Sequence, residues 1–157
     1  MSDYSVVSVD GTRARFFTLE AVQLPGVESG PNLVEAKEAL INPEVDIPGR
    51  ELWSDTAAGG MGHTYDDHRD KHIDEFKRRF AKLVAGQAVQ FAKRNKAKKL
   101  VMVAEKQMLG FIRSELHVSP TEKFELTEFA KDLSRLSPLE LHSHLASEGL
   151  VPPRHNP

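Results

Sequence analysis

The N-terminal part of the chain contains two short apolar runs of the length and composition of β-strands. Residues 4–10 and 13–21 are rich in β-branched and aromatic side chains, which favours strands over helices. Asp10 and Gly11 lie between these segments and suit the positive φ angles of a tight hairpin turn. We therefore predict an antiparallel hairpin, with a third strand over 33–42.

A long amphipathic helix follows an irregular segment. Between residues 43 and 65 no periodicity remains, and prolines and glycines predict a long loop. From residue 66 onward, apolar side chains recur every three or four positions, which is the spacing of one helix face. The pattern predicts a helix over 66–95. Its inward face is expected to comprise Ile73, Phe76, Phe80, Leu83, Val84, Gln87, Ala88 and Phe91.

The C-terminal half alternates strands with helices. Residues 100–104 form an unbroken apolar run, typical of a strand that is buried on both faces. We predict a helix over 106–116 and a late strand over 124–129. The last helix begins at the capping box that Ser137 opens, and it ends near Gly149.

This order of elements predicts one α/β domain. An antiparallel meander comes first and parallel crossovers follow, so we expect a three-layer mixed sheet with helices on both faces, ribonuclease-H-like in its order. The chain has 157 residues, of which 39% are hydrophobic, and this is enough for one ordinary core. We assign residues 1–150 to the domain and residues 151–157 to a flexible C-terminal tail.

Composition excludes several classes of protein. The absence of cysteine excludes disulfides, iron–sulfur clusters and a cysteine nucleophile. The N-terminus carries no basic leader, and no apolar run approaches the roughly 18 residues of a membrane span. We therefore expect a cytoplasmic protein without a membrane span. The P-loop, the Gly-x-Gly-x-x-Gly motif and the Gly-x-Ser-x-Gly motif are missing as well.

Charge is distributed unevenly along the chain. The formal net charge is −2, yet residues 66–99 carry 11 Lys and Arg against 5 Asp and Glu. Basic side chains at this density can neutralise phosphates and so bind nucleic acid. The alternative is a solvated helix face whose charges serve solubility. The candidate nucleic-acid-binding residues are Arg69, Lys71, Arg78, Arg79 and Lys82.

Two histidines offer a second kind of chemistry. His68 and His72 are four residues apart, so on a helix they share a face and could hold a divalent metal ion. The zinc-protease pattern His-Glu-x-x-His is missing, because no glutamate follows His68. A solvated polar face is the alternative interpretation of this pair.

Acidic residues suggest a further metal-dependent alternative. Asp10 lies on the first strand, where ribonuclease-H-like nucleases carry a metal-binding aspartate, and Glu20, Glu105 and Asp132 are further carboxylates. The chemistry of the turn is by itself a sufficient explanation of Asp10, and nothing in the spacing predicts that these carboxylates converge.

Several segments together resemble a known family. Residues 7–17, with the sequence Val-Ser-Val-Asp-Gly-Thr-Arg-Ala-Arg-Phe-Phe, look like the opening strand-turn-strand of the bacterial host-attachment protein family. The segments 59–61, 68–80, 100–104 and 124–145 support the match. This family is similar to the middle domain of archaeal and eukaryotic peptide-chain release factors. In that domain a Gly-Gly-Gln loop precedes a long basic helix. The resemblance implies a ribonuclease-H-like fold and a ribosome-associated role.

The chain departs from the release-factor motif at its catalytic position. The loop has the sequence Gly59-Gly60-Met61-Gly62, and Met61 stands where the resemblance would place the catalytic glutamine. We therefore expect no peptidyl-tRNA hydrolysis. Glycines still allow the backbone to approach a ligand closely, although a flexible loop without a partner is the alternative.

These observations lead to one leading hypothesis and two alternatives. We expect a non-catalytic, release-factor-like domain that binds the ribosome or transfer RNA through the basic helix and the glycine loop, without a cofactor. The first alternative is a protein needed, indirectly, for bacterial attachment to host cells. The second is a metal-dependent hydrolase.

Overall fold

The chain folds around a mixed β-sheet. The computed structural model describes residues 3–43, 62–116 and 123–157, and over residues 62–71 it describes the backbone alone. Within these ranges there are five strands and three helices. In chain order they are β1 (Tyr4–Val9), β2 (Arg13–Glu20), β3 (Asn32–Ile41), α1 (Gly62–Arg94), β4 (Lys99–Ala104), α2 (Lys106–Glu115), β5 (Glu125–Ala130) and α3 (Pro138–Ser147).

The sheet combines an antiparallel meander with two parallel strands. Its order is β3-β2-β1-β4-β5. Strand β2 pairs antiparallel with both β1 and β3, whereas β4 pairs parallel with β1 and β5 pairs parallel with β4. The predicted mixed α/β sheet with an N-terminal antiparallel meander is therefore confirmed. The three-layer and ribonuclease-H-like assignments are more specific and stay predictions.

The turn between β1 and β2 is held by Asp10. One oxygen of its carboxylate accepts hydrogen bonds from the backbone N–H of Thr12 at 2.7 Å, the Thr12 hydroxyl at 2.7 Å and the backbone N–H of Arg13 at 2.8 Å. Burial alone would raise the pKa of Asp10, but these hydrogen bonds from Thr12 and Arg13 lower it below its ordinary value. Asp10 therefore acts in the turn, as its place in the hairpin predicts.

The core consists of two apolar clusters. Because side chains alternate along a strand, neighbouring residues of β1 and β4 belong to different clusters. Val7 and Met102 join a cluster that contains side chains of α1 and α2. Val6 and Val101 join a second cluster, which contains side chains of α3. Strand β4 is buried from Leu100 to Ala104, as its unbroken apolar run predicts.

Helix α1 begins earlier than predicted and turns a slightly different face inward. It begins at Gly62, four residues before the predicted start, and ends at Arg94. Phe80 and Phe91 are fully buried, as expected, but Leu83 is 48% exposed. The prediction for Leu83 was wrong because Ala81, Ala85 and Ala92 supply the rest of the buried face. With these small residues at the centre of the buried face, Leu83 lies at its edge and is partly exposed.

The C-terminal segment makes contacts that the sequence did not reveal. His155 and Gly30 exchange two backbone hydrogen bonds, at 2.8 and 3.1 Å. The Arg154 side chain donates to the Asn32 side chain at 2.7 Å, and Val151 is buried in the second cluster. Residues of the predicted flexible tail are thus joined to β3 and to the segment before it.

Arg15 links three parts of the chain through hydrogen bonds. Its guanidinium donates to both carboxylate oxygens of Glu35 on β3, at 2.9 and 2.6 Å. The third nitrogen donates to the carbonyl oxygens of Ser134 and Leu136, at 3.0 and 2.7 Å. Only 10% of the Arg15 side chain is exposed. The arginine therefore ties β2 and β3 to the segment that leads into α3.

The Arg15–Glu35 pair predicts a pH-dependent contribution to stability. Hydrogen bonding to Arg15 lowers the pKa of Glu35 below its usual value of 4.5. A carboxyl with a lowered pKa stabilises the fold above its unfolded-state pKa, and this stabilisation is lost as the pH falls through the folded-state pKa. We expect Glu35→Gln to reduce the free energy of unfolding by about 1–2 kcal/mol at pH 7. That is less than for a wholly buried pair, because 34% of the Glu35 side chain is exposed.

Chemical denaturation of wild type and variant between pH 7 and pH 3 measures this effect. The difference between the two proteins should begin to shrink below about pH 4.5, where the carboxyl of the unfolded chain takes up a proton, and should be lost as the pH falls through the lower pKa of the folded protein. Glu28→Gln, at an exposed position, controls for the loss of a surface charge. A difference that stays constant over this pH range would contradict the assigned role of the ion pair.

Candidate nucleic-acid interface

The outward side of α1 carries more basic than acidic residues. No Asp or Glu occurs between Glu75 and Glu105, while nine Lys and Arg occur in that stretch. The exposed positions along the middle of the helix recur every three or four residues, so they lie on one side of it. We call this set the outer stripe. It comprises Arg79, Lys82, Gly86, Gln90 and Lys93.

Two basic residues of α1, Lys77 and Arg78, contact side chains of α2. The Arg78 guanidinium lies 5.0 Å from the ring centroid of Phe111, and the Lys77 amine donates to the Gln107 side chain at 3.0 Å. Gln107 in turn donates to Asp74 at 3.4 Å. Arg78 was predicted to contact nucleic acid, but it also has this structural contact.

The remaining predicted contact residues have different environments. Lys82 is exposed on the outer stripe, close to Asn42 and Pro43. Arg79 is also exposed, and its guanidinium lies 3.7 Å from the Glu75 carboxylate. This exposed pair contributes little to stability. The side chains of Arg69 and Lys71 lie outside the described residues, so their role stays a prediction.

Arg94, at the end of α1, is paired with a carboxylate, so not every cation counted in the sequence adds to the positive charge of the surface. Its guanidinium forms an ion pair with Glu38 on β3 and lies 5.7 Å from the Phe91 ring centroid. The pair neutralises one positive charge at the end of the helix. Lys82 and Lys93 of the outer stripe, and Lys96 and Lys98 after α1, are exposed to solvent.

A groove lies where α1 ends. Its volume is about 590 Å³, its floor includes Ala92 and Ala97, and we call it the end groove. Two of its residues, Lys123 and Phe124, were not predicted because they are remote in sequence from α1. Only the folded structure brings them to the groove. The backbone N–H of Glu125 donates to Lys98 O at 2.8 Å, so the start of β5 lies beside the start of β4. The polar and aromatic lining consists of Lys93, Lys96, Lys98, Lys123 and Phe124.

The carboxylates considered for a metal site are engaged in local structure. Asp10 holds the hairpin turn, Glu105 caps α2 by accepting from the backbone N–H groups of Gln107 and Met108, and Asp132 accepts from the backbone N–H and hydroxyl of Ser134. Glu20 accepts from the Thr18 hydroxyl. Among the side chains that the structure describes, in residues 3–43, 72–116 and 123–157, no three His, Asp or Glu are grouped as a metal site would require.

Two other predicted sites lie partly or wholly outside the described residues. His72 is exposed, with its ring centroid 6.2 Å from that of Phe76, whereas the His68 side chain is not described. Gly59, Gly60 and Met61 also lie outside the described ranges, and Gly62 is the first residue of α1. The histidine pair and the glycine loop therefore stay predictions.

Comparisons with known proteins identify a family. None of the helices in the described part of the chain is long and apolar enough to cross a membrane. No curated protein matches the sequence. A family model described as "Protein required for attachment to host cells" matches residues 5–145, which include nearly all of the span from β1 to α3. The similarity to release factors is a separate hypothesis and stays a prediction. Because the match spans most of the sequence, the chain belongs to the family of proteins required for attachment to host cells.

Proposed function

We propose that this protein binds RNA without catalysing a reaction on it, and that its part in attachment to host cells depends on this binding. The outer stripe of α1 is the proposed contact surface. The family description supports the role in attachment, and the resemblance to release factors makes ribosomal or transfer RNA the expected class of target.

The observation that carries the proposal is the charge of the outer stripe. Arg79, Lys82 and Lys93 are exposed along one side of α1, and no acidic residue follows Glu75 on this helix. From residue 79 to residue 93 an α-helix advances about 21 Å. Cations along such a length can contact several phosphates of one strand, and the counterions they release favour binding.

Gly86 gives the same surface an unusual shape. It is exposed in the middle of the outer stripe, and a Cβ atom built there would meet nothing within 4 Å. Glycine inside a helix is less favourable than alanine by about 1 kcal/mol. The absence of a side chain between Lys82 and Gln90 lets a sugar–phosphate backbone approach the helix closely.

Attachment to host cells is the cellular consequence that the family description supports. In a strain that lacks the chromosomal gene, the wild-type protein and a variant without charge on the outer stripe should restore attachment to different extents. Equal restoration at equal protein levels would show that attachment does not depend on these cations. The family role would then stand without the proposed RNA binding.

The charge of the outer stripe predicts the effect of removing its lysines. The double variant Lys82→Ala, Lys93→Ala should bind transfer RNA or ribosomal RNA more weakly, and it should lower the slope of log K against log salt by roughly 1.4–1.8. Both side chains are exposed, so the free energy of unfolding should change by about 0.5 kcal/mol or less per substitution. Titrations with labelled RNA between 50 and about 200 mM salt measure the slope.

The matched control for this variant is Lys106→Ala, Lys131→Ala. It removes the same charge at exposed positions away from the outer stripe and should bind RNA almost as the wild type does. If the two double variants lose the same affinity, net charge alone accounts for binding. If the wild type has no affinity for RNA at low salt, the proposed function is wrong.

Substitution of Gly86 separates the shape of the stripe from its charge. Gly86→Ala should raise the free energy of unfolding by about 0.5–1 kcal/mol, because alanine is the better helix former and the site is open. The added methyl group should weaken RNA binding without changing the salt slope, since no charge is lost. A variant that is more stable and binds RNA as well as the wild type would exclude close approach at Gly86.

A further inference from the structure

We infer that the end groove binds one nucleotide of a single-stranded RNA, with its phosphates on the lysines and its base against Phe124. The inference rests on the proposed RNA binding and adds to it a subsite at the end of the outer stripe, since Lys93 belongs to both. It also predicts a preference for single strands, because a paired base is not free to leave its stack.

The size and charge of the groove suit this ligand. A volume of about 590 Å³ lies within the range of about 300–1,000 Å³ that is usual for small-molecule sites. Four lysines line the groove, and no acidic side chain does among the described residues. At its rim, Asp3 lies 3.9 Å from the Lys98 amine, but both side chains are largely exposed. Such a pair neutralises little charge.

Phe124 supplies a surface for the base. It is partly buried and packs against the first core cluster, so its position is set by the fold, while part of the residue remains accessible in the groove. Single-strand-binding proteins commonly combine a positively charged groove with aromatic side chains on which bases stack. Lys123 precedes Phe124 directly and lines the same groove.

The backbone of Lys96 is the second, independent observation. Its φ is +54°, in the left-handed region where the position after a helix is usually glycine. The backbone N–H of Ala97 donates to Ala92 O at 3.0 Å, and that of Lys96 donates to Lys93 O at 3.1 Å. These bonds complete the usual helix-terminating motif. A lysine here is strained relative to glycine, and such strain occurs preferentially at functional sites.

The helix dipole does not explain this arrangement. Basic residues near the C-terminus of a helix interact favourably with its dipole, and this accounts for Lys93 and Arg94. It does not account for Lys123, which comes from the segment before β5, or for a strained lysine where glycine would terminate the helix with less strain. A phosphate group held by several lysines accounts for both.

Lys96→Gly is the most informative variant. It removes one cation and relieves the backbone, so the protein should unfold at the same or a higher denaturant concentration. The probe is a short labelled single-stranded RNA, compared with a duplex of the same sequence at low salt. We expect affinity for the single strand to fall several-fold and the salt slope to decrease by about 0.7, the value for one phosphate contact on a single strand.

Phe124→Leu tests the base contact while keeping an apolar side chain in the core. Affinity for the single strand should fall about five-fold or more, the loss expected when one base–aromatic stack is removed, whereas affinity for the duplex should change little. Lys131→Ala, at an exposed position beyond the other end of β5, is the control and should leave both affinities unchanged.

The outcomes separate this inference from the proposed function. If wild type binds RNA and the Lys82, Lys93 double variant binds it more weakly, but Lys96→Gly and Phe124→Leu bind the single strand as wild type does, the nucleotide subsite is wrong and the proposed function stands. Equal losses for single strand and duplex would also overturn the subsite. If wild-type protein binds neither RNA, both proposals fail.

Discussion

The parallel pairing of β1 with β4 is the constraint on which the rest of the structure depends. It runs from Tyr4 opposite Lys99 to Ser8 opposite Val103, in the interior of the sheet. Strands buried on both faces need apolar cover on both, and the two core clusters provide it. One side of helix α1 covers the sheet. The opposite side, which carries the lysines, is exposed to solvent.

Polar groups in this fold serve mainly to hold segments in place. Arg15 connects β2 and β3 with the segment before α3, while Asp10, Glu105 and Asp132 accept hydrogen bonds from backbone N–H groups close to them in sequence. Each of these carboxylates therefore has a structural partner. The positive charge is arranged differently: Arg94 is paired with Glu38, whereas Lys82 and the lysines that line the end groove are exposed to solvent, with Lys98 beside Asp3.

Because the carboxylates serve local structure while the lysines are exposed, the proposed function is ligand binding and not catalysis. The outer stripe offers charge along a helix and the end groove offers charge around an aromatic ring, two features that together suit a flexible polyanion. Membership of the host-attachment family connects the protein with attachment to host cells. RNA binding and attachment to host cells are then two levels of one proposal, the first molecular and the second cellular.

Sequence alone determined the features that depend on neighbouring residues. The hairpin at Asp10, the buried run 100–104 and the capping box at Ser137 were all predictable, and each is present. Only the tertiary structure decided which basic side chains stay available. It turned Arg78 toward Phe111 and brought Lys123 and Phe124 beside Lys98. The physical reason is that local conformation depends on adjacent residues, whereas the partners of a long charged side chain depend on which distant segments the sheet brings together.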